Sequence, residues 1–216
     1  EVWKAVYLDN PRVFERKEEV EIPGFSVDML IDASSSRKQM QEQIAAQAYV
    51  LAASLEECGL PAQIYSYCSI RGFTVMRIFK DYEEEQVGNE LFGYVAAGNN
   101  RDGLALRAAG YLMEASKKAK RILLVLTDAN PMDDQNIGEG AFYTNKEYTD
   151  QPAIEDTARE VQRLKKKGIQ VIGIFMGSAK SREAAREIFD RELVQIQNIN
   201  DFAGAVGRVL GEVMKP

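Results

Sequence analysis

Leu30-Ile31-Asp32-Ala33-Ser34-Ser35-Ser36 is the stretch that decides the fold and the candidate site of this chain. The apolar run at 27–31 predicts a buried strand, and an aspartate and three serines follow it closely. Asp32, Ser34 and Ser36 stand at every second position, so an extended turn can direct all three side chains the same way. A carboxylate and two hydroxyls are hard oxygen ligands, which suit a magnesium-type ion that keeps some of its waters.

A second predicted buried strand, at 122–126, also ends beside an aspartate, within the pair Thr127-Asp128. Amphipathic helical patterns separate this strand from the first one and from a third predicted strand at 169–176. Buried strands that alternate with helices predict an α/β fold with a doubly wound, mostly parallel sheet and helices on both faces. Ligands in such sheets gather at the carboxyl ends of the strands, where the strand order reverses. If the first two strands are neighbours at that point, Asp32 and Asp128 converge.

Three further patterns shape the expected architecture. Residues 62–69 and 73–79 alternate as strands on either side of a turn at Arg71-Gly72, which predicts a hairpin and one antiparallel edge strand. Residues 129–151 show no clear periodicity, and loops of that length are usually functional or mobile. We divide the chain into an N-terminal arm or edge strand at 1–25 and one domain at 26–216.

Composition excludes several classes of function. The net charge of −6 over 216 residues argues against nonspecific nucleic-acid binding. The chain has no histidine, which excludes Ser-His-Asp triads and zinc-histidine sites. No apolar run reaches the length of a membrane span, and no signal peptide is recognisable in a chain that begins at Glu1. We therefore expect a cytoplasmic protein, cut from a longer chain, in which Cys58 and Cys68 remain thiols.

The order of these features resembles the von Willebrand factor A (vWA) domain over about residues 26–213. That family combines Asp-x-Ser-x-Ser after a buried strand, a polar turn before a helix, and a second strand that ends in Thr-Asp. Within it, the chain is similar to bacterial intracellular members of the cobaltochelatase large-subunit and nitric oxide reductase activation types. Asn100-Arg101-Asp102-Gly103-Leu104-Ala105-Leu106 resembles their Asn-x-Asp-Gly-x-Ala-Leu stretch, and Asp128-Ala129-Asn130-Pro131-Met132-Asp133-Asp134 resembles Asp-Gly-x-Pro-x-Asp-Asp.

The resemblance implies a metal-ion-dependent adhesion site (MIDAS) for Mg²⁺, or for Mn²⁺ or Ca²⁺ in its place. Its ligands, direct or through water, would be Asp32, Ser34, Ser36 and Asp128. The family usually supplies a threonine from the middle loop, whereas this chain has Asn100 at that position and Asp102 nearby. An amide or carboxylate oxygen can replace a hydroxyl on a hard ion, so either residue is a candidate.

The resemblance also implies what such a site does. An acidic residue of a protein partner would complete the coordination of the ion. The intracellular relatives work beside a hexameric MoxR-type AAA+ ATPase and help to insert metal into, or activate, a target metalloenzyme. The chain has no Walker-type phosphate-binding sequence, so any ATPase must be another chain or another part of this one. We expect no catalysis by the domain itself.

Plainer interpretations exist for each group of residues. Ser36 can be the N-cap of the next helix, with Asp32 merely ending a strand, and Asn100 and Asp102 can form a turn and a helix cap. Two further groups lie in the long loop: Asp133 and Asp134, which a solvated loop explains, and Phe142, Tyr143 and Tyr148, which form either a partner-binding patch or packing for the loop.

Two other functions compete with metal-dependent binding. A magnesium-dependent hydrolase or phosphotransferase could use the same strand ends, but it needs a nucleophile or base beside the metal. Without histidine, that group would be a spare carboxylate from the set Asp102, Asp133 and Asp134. A purely structural domain with an empty site is the third possibility.

Overall fold

A computed structural model describes residues 24–84, 86–139 and 142–214, and within these it describes no side chains at 135–146. Of the arm predicted at 1–25, residues 1–23 lie outside the described residues. No helix in the described part of the chain is long and apolar enough to cross a membrane.

The described residues contain eight strands, five α-helices and five short 3-10 helices. The strands are β1 Phe25–Asp32, β2 Ala62–Ile70, β3 Phe73–Lys80, β4 Lys120–Thr127, β5 Asp133–Glu139, β6 Phe142–Tyr148, β7 Ile169–Phe175 and β8 Leu193–Gln195. The helices are α1 Gln41–Glu57, α2 Asp102–Leu112, α3 Asp150–Lys166, α4 Arg182–Phe189 and α5 Phe202–Val213.

Six strands form one sheet in the order β3-β2-β1-β4-β7-β8. All neighbouring pairs are parallel except β2 and β3, which form the predicted antiparallel hairpin at the edge. Apolar residues of α1 and α5 pack on one face of the sheet, and those of α2, α3 and α4 pack on the other. The predicted α/β fold, a mostly parallel sheet between two helical layers, is confirmed.

Strand β1 lies at the centre, and all eight of its residues are buried. A central parallel strand is covered by helices on both faces, which explains why even its polar residues Ser26, Asp28 and Asp32 are buried. The chain passes from β1 to β2 on one side and places β4 on the other, so the strand order reverses between β1 and β4. Ile31 pairs with Leu126, which brings Asp32 and Asp128 to the same end of adjacent strands, as predicted.

The prediction of an irregular loop at 129–151 was wrong. Asp133–Glu139 and Phe142–Tyr148 pair as an antiparallel hairpin outside the main sheet, and α3 begins at Asp150. Hydrophobic periodicity detects strands that bury one face against a core. The polar sequence Asp-Asp-Gln-Asn-Ile-Gly-Glu of β5 carries no such alternation, and the hairpin was therefore missed.

Candidate metal centre

Asp32 ends the central strand with a fully buried side chain. Its Oδ1 accepts a hydrogen bond from the Ser34 backbone N–H at 2.8 Å, and its main-chain oxygen accepts one from the Tyr94 hydroxyl at 2.5 Å. Oδ2 is buried and has no hydrogen-bond partner among the described residues. Burial raises the pKa of this carboxyl to about 6, although the nearby Arg37 lowers it. An orphaned buried carboxylate oxygen is costly unless something else binds it.

The two serines of the motif connect Asp32 to the end of β4. The Ser34 and Ser36 hydroxyls lie 3.0 Å apart, and the Ser36 hydroxyl donates to Asp128 Oδ2 at 2.7 Å. Ser34, and not Ser36, precedes the short 3-10 turn Ser35–Met40, and its side chain makes no capping hydrogen bond there. The helix-cap explanation for Ser36 is therefore wrong, because its hydroxyl contacts a carboxylate from another strand.

Asp128 follows β4 at a sharp turn. Ala129 has a φ of 51°, in the left-handed region that disfavours residues with a Cβ. The Thr127 hydroxyl oxygen accepts from Ala129 N–H at 2.9 Å, and Asp128 Oδ1 accepts from Asn130 N–H at 3.3 Å. These bonds hold the turn so that the partly exposed Asp128 carboxylate faces Ser36.

The middle loop brings Asn100 and Asp102 to the same end of the sheet. Asn100 exchanges two backbone hydrogen bonds with Met132, at 2.9 and 3.0 Å, which ties this loop to the segment after Asp128. Asp102 Oδ1 accepts from the Tyr67 hydroxyl at 2.8 Å and from the Asn100 amide at 3.1 Å. Burial, and next the charge of Asp32, raise the pKa of Asp102 well above its ordinary value.

Neither residue of the middle loop caps a helix through its side chain. Asp102 is the first residue of α2, where a carboxylate favours the helix dipole, but the N-cap is Arg101 and makes no side-chain capping bond. Asn100 lines a cavity of about 190 Å³ together with Ser34 and Ser36, whereas Asp102 does not line it.

Arg37 is the residue that sequence reasoning missed. Its side chain is 2% exposed, with Nε 3.5 Å from Asp32 Oδ2 and Nη2 3.4 Å from Asp128 Oδ2. Nη1 donates to the main-chain oxygen of Met176 at 2.8 Å. The sequence predicts an amphipathic helix at 37–58 with Arg37 at its start, and the only signal for a role in the site was its position directly after the last serine of the motif.

Several solved structures resemble this arrangement of strands and helices. The vWF domain of the type V pili tip protein Mfa5 from Porphyromonas gingivalis superposes with a TM-score of 0.67 at 10% identity, covering 90% of this chain and 97% of that one. The von Willebrand factor type A protein from Catenulispora acidiphila gives 0.56 at 18% identity, covering 88% and 42%. The fold is that of a vWA domain. The pilus adhesin SpaC from Lactobacillus rhamnosus GG, in its open conformation, gives 0.65 at 14% identity, covering 90% and 30%.

Sequence comparison adds one distant relative of this chain. It is 24% identical over 189 residues to the uncharacterized protein YojO of Bacillus subtilis strain 168, covering 81% of this chain. The chain spans about a quarter of that relative, 27% of its length. No protein-family model matches the sequence.

The resemblance of the sequence to the vWA family implies a divalent metal ion, and the side chains present fit one. Two carboxylates, two hydroxyls and an amide converge, and the buried Asp32 Oδ2 lacks a hydrogen bond within the described structure. The Asp128 charge raises the pKa of Asp32, and both raise that of Asp102, so a cation would relieve repulsion among three acids. No group of three or more Asp, Glu or Cys side chains in the described ranges forms a metal-holding cluster. Hydroxyl and amide oxygens are therefore needed, which suits Mg²⁺.

Two cavities that share Ser36 as a lining residue open at the candidate site. The smaller one is the 190 Å³ cavity that Asn100 lines. The larger one, of about 590 Å³, is lined by Ser36, Arg37, Asp128 and Lys180 among others. A group arriving from solvent can thus approach the Ser36–Asp128 pair.

The other acidic residues of interest lie apart from this site. Asp133 and Asp134 line a separate cavity with Glu147 and Thr149. Asp134 is exposed, but the solvated-loop interpretation was wrong for Asp133, which is buried at the start of β5 with Oδ2 4.0 Å from Arg101 Nη1.

The predicted aromatic patch of the long loop is resolved for one of its members. Tyr148 is fully buried, and its hydroxyl accepts a hydrogen bond from Gly103 N–H at 3.0 Å. It therefore packs the hairpin against α2, which is the plainer of the two interpretations. The side chains of Phe142 and Tyr143 lie outside the described residues.

Proposed function

We propose that this vWA domain binds Mg²⁺ at the ends of β1 and β4 and uses the ion to dock an acidic residue of a protein partner. Asp32, Ser34, Ser36 and Asp128 would hold the ion directly or through water. The observation that carries the proposal is the continuous row of oxygens across the point where the strand order reverses. Ser34 lies 3.0 Å from Ser36, and Ser36 lies 2.7 Å from Asp128, beside Asp32 Oδ2, which makes no hydrogen bond in the described structure.

Asn100 is the middle-loop ligand in this proposal, and Asp102 holds it in place. Asn100 lines the same cavity as Ser34 and Ser36, and its amide nitrogen donates to Asp102 Oδ1 at 3.1 Å. The Tyr67 hydroxyl fixes that same oxygen at 2.8 Å. A carboxylate that orients a ligand from behind is a common feature of metal sites.

Two of the proposed ligands, Asp32 and Asp128, are carboxylates and the others are neutral, so the ion keeps enough Lewis acidity to bind a partner's carboxylate. The exposed Ser36 and the partly exposed Asp128 place that binding at the surface. The two cavities that share Ser36 give an incoming side chain a route to the ion.

The partner proposed here is a MoxR-type AAA+ ATPase, with which the domain would act in the cytoplasm on a target metalloenzyme. The stretches beginning at Asn100 and at Asp128 support this assignment, because they resemble cobaltochelatase and nitric oxide reductase activation proteins. We further propose that the domain is not an enzyme. A hydrolase needs a spare carboxylate beside the metal, yet Asp102 already accepts two hydrogen bonds and Asp133 lines a different cavity.

Isothermal calorimetry of MgCl₂ binding to the purified chain tests the metal. Saturable binding in the parent that is lost in Asp32→Ala and in Asp128→Ala supports the site. The matched control is Asp134→Ala, which removes an exposed carboxylate from another cavity. Binding that survives both site variants, or absence of binding in the parent, would count against the metal. Co-purification with a MoxR-type ATPase in Mg²⁺ and in EDTA then tests the partner.

A further inference from the structure

Arg37 occupies an unusual place for a cation, between the two carboxylates that the proposed metal would share. Its guanidinium faces Asp32 Oδ2 at 3.5 Å and Asp128 Oδ2 at 3.4 Å, and its side chain is 2% exposed. A buried positive charge this close to a proposed metal position must affect how strongly the metal binds.

We infer that Arg37 is a resident cation that holds the two strand-end carboxylates together when no metal is bound and that lowers the affinity of the site for a divalent ion. The inference rests on the proposed metal-binding function and assigns its regulation. Arg37 acts as a positioning residue, because it acts on the ion only through the carboxylates and through its charge.

Hydrogen bonds fix the guanidinium on one side only. Nη1 donates to the Met176 oxygen, just beyond β7, at 2.8 Å. Nε and Nη2 face the carboxylates but have no hydrogen-bond partner in the described structure, and Asp32 Oδ2 has none either. An arginine that binds a carboxylate in the bidentate manner makes two short, parallel hydrogen bonds to it. Arg37 instead compensates charge at contact distance and leaves the carboxylate oxygens available to another cation.

The anchor also explains why the arginine can stay near the site. Its backbone belongs to the turn after β1, its Nη1 reaches the end of β7, and the two carboxylates end β1 and β4. Arg37 thus connects the ends of three adjacent strands of the sheet. Held at Met176, it remains beside the ligands when the ion enters, and the two positive charges repel each other.

The consequence is a site that is stable without metal and binds metal moderately. Without the arginine, three nearby acids would have no buried cation to offset them, and the metal-free form would lose stability. The same loss of positive charge would increase the attraction for Mg²⁺. A switch between the two forms then needs no large movement of the fold.

Three variants distinguish the effect of the charge of Arg37 on Mg²⁺ binding from the effect of its shape. Arg37→Met keeps a long unbranched side chain but removes the charge, whereas Arg37→Lys keeps the charge but removes the planar fork. Lys38→Met removes the same charge from the adjacent exposed position. MgCl₂ is titrated into each variant by calorimetry, and melting temperatures are measured in EDTA and in saturating MgCl₂, with circular dichroism as a check on folding.

The expected result is at least tenfold tighter Mg²⁺ binding by Arg37→Met, with Arg37→Lys and Lys38→Met within threefold of the parent. Arg37→Met should also have a lower melting temperature than the parent in EDTA, and its melting temperature should rise more on addition of Mg²⁺. If Arg37 were only structural, its replacement by methionine would lower the melting temperature equally in EDTA and in MgCl₂. Folded Arg37→Met that binds Mg²⁺ no tighter than the parent, or Arg37→Lys that behaves like Arg37→Met, overturns the inference.

The outcomes for the two proposals differ. Binding in the parent without a gain in Arg37→Met removes the role of Arg37 and leaves the metal site intact. Binding in Arg37→Met alone supports the inference and overturns metal binding by the native chain, because the arginine would then exclude the ion. Absence of binding in every folded variant overturns both.

Discussion

The hydroxyl of Ser36 donates a hydrogen bond of 2.7 Å to Asp128 Oδ2, although 92 residues of chain separate them. Ser36 lies in the turn after β1 and Asp128 in the turn after β4, so this contact exists only when the two strands are paired. It is the point at which the sequence motif and the sheet topology meet. The metal site proposed above depends on this relationship.

Replacement of Ser36 by alanine tests that contact directly. Ser36→Ala removes one proposed ligand and the donor that orients Asp128, so we expect Mg²⁺ affinity to fall at least tenfold in calorimetry. Ser35→Ala is the matched control, because the neighbouring hydroxyl donates instead to the Gly98 main-chain oxygen at 2.9 Å. Equal losses in the two variants would mean that the turn, and not the Ser36 hydroxyl, matters for binding.

Another buried acid, Asp28, makes stability depend on pH. The Tyr65 hydroxyl donates to its Oδ2 at 2.9 Å and the Tyr82 hydroxyl donates to its Oδ1. Burial raises the pKa of Asp28 from its ordinary value of 3.8 to about 7. Because the folded-state pKa is the higher one, this carboxyl favours the folded chain most at pH values below 3.8, and that contribution is lost as the pH rises to about 7.

Asp28→Asn should remove this loss, because an amide does not ionise. The interval between the two pKa values corresponds to as much as about 4 kcal/mol of unfolding free energy. In urea unfolding between pH 4.5 and 7.5, the unfolding free energy of the variant should therefore increase relative to that of the parent as the pH rises. The same comparison for Asp134→Asn, at an exposed carboxylate, serves as the control. A constant difference between Asp28→Asn and the parent over this range would contradict the prediction.

Gly103 has no room for a side chain. A Cβ atom there would overlap with the carboxylate of Asp156 and lie 3.2 Å from the Tyr148 hydroxyl. We expect Gly103→Ala to lower the unfolding free energy by about 1–3 kcal/mol, because the buried Asp156 side chain would have to move away from α2. Gly207→Ala, in α5, would meet nothing within 4 Å and should be stabilising by about 0.5–1 kcal/mol. Urea denaturation of both variants measures the contrast, and equal effects would count against close packing at Gly103.

Much of the fold follows from local patterns in the sequence. Strand β1 is buried along its whole length and was visible as an apolar run that ends at Asp32. The alternation on either side of Arg71-Gly72 predicted the β2–β3 pair, since a hairpin depends only on neighbouring residues. The meeting of Asp32 and Asp128 followed from the general rule for parallel sheets, without any knowledge of the contacts between them.

Other parts of the site could not be predicted because they depend on distant contacts. Arg37 is buried through a hydrogen bond to Met176, 139 residues further along the chain, and its own surroundings in the sequence are typical of an exposed helix start. Asp133 is buried in the β5–β6 hairpin, whose polar sequence carries no periodic signal. In both cases the burial of a charge was decided by tertiary structure.

Two substitutions at Asn100 decide which residue of the middle loop binds the metal. Asn100→Thr keeps an oxygen near Ser34 and Ser36, while Asn100→Ala removes it, and both lose the amide that donates to Asp102. If Asn100 is the ligand, calorimetry should give the threonine variant a Mg²⁺ affinity within about threefold of the parent, because a hydroxyl also coordinates a hard ion. The alanine variant should bind Mg²⁺ at least tenfold more weakly. If Asp102 is the ligand, the two variants should lose affinity equally, since each frees the same carboxylate, and Asp102→Asn should be weaker than either. The Tyr67 hydroxyl, which donates to Asp102 Oδ1 at 2.8 Å, remains in all three variants. A difference in Mg²⁺ affinity among them therefore reports which residue binds the ion.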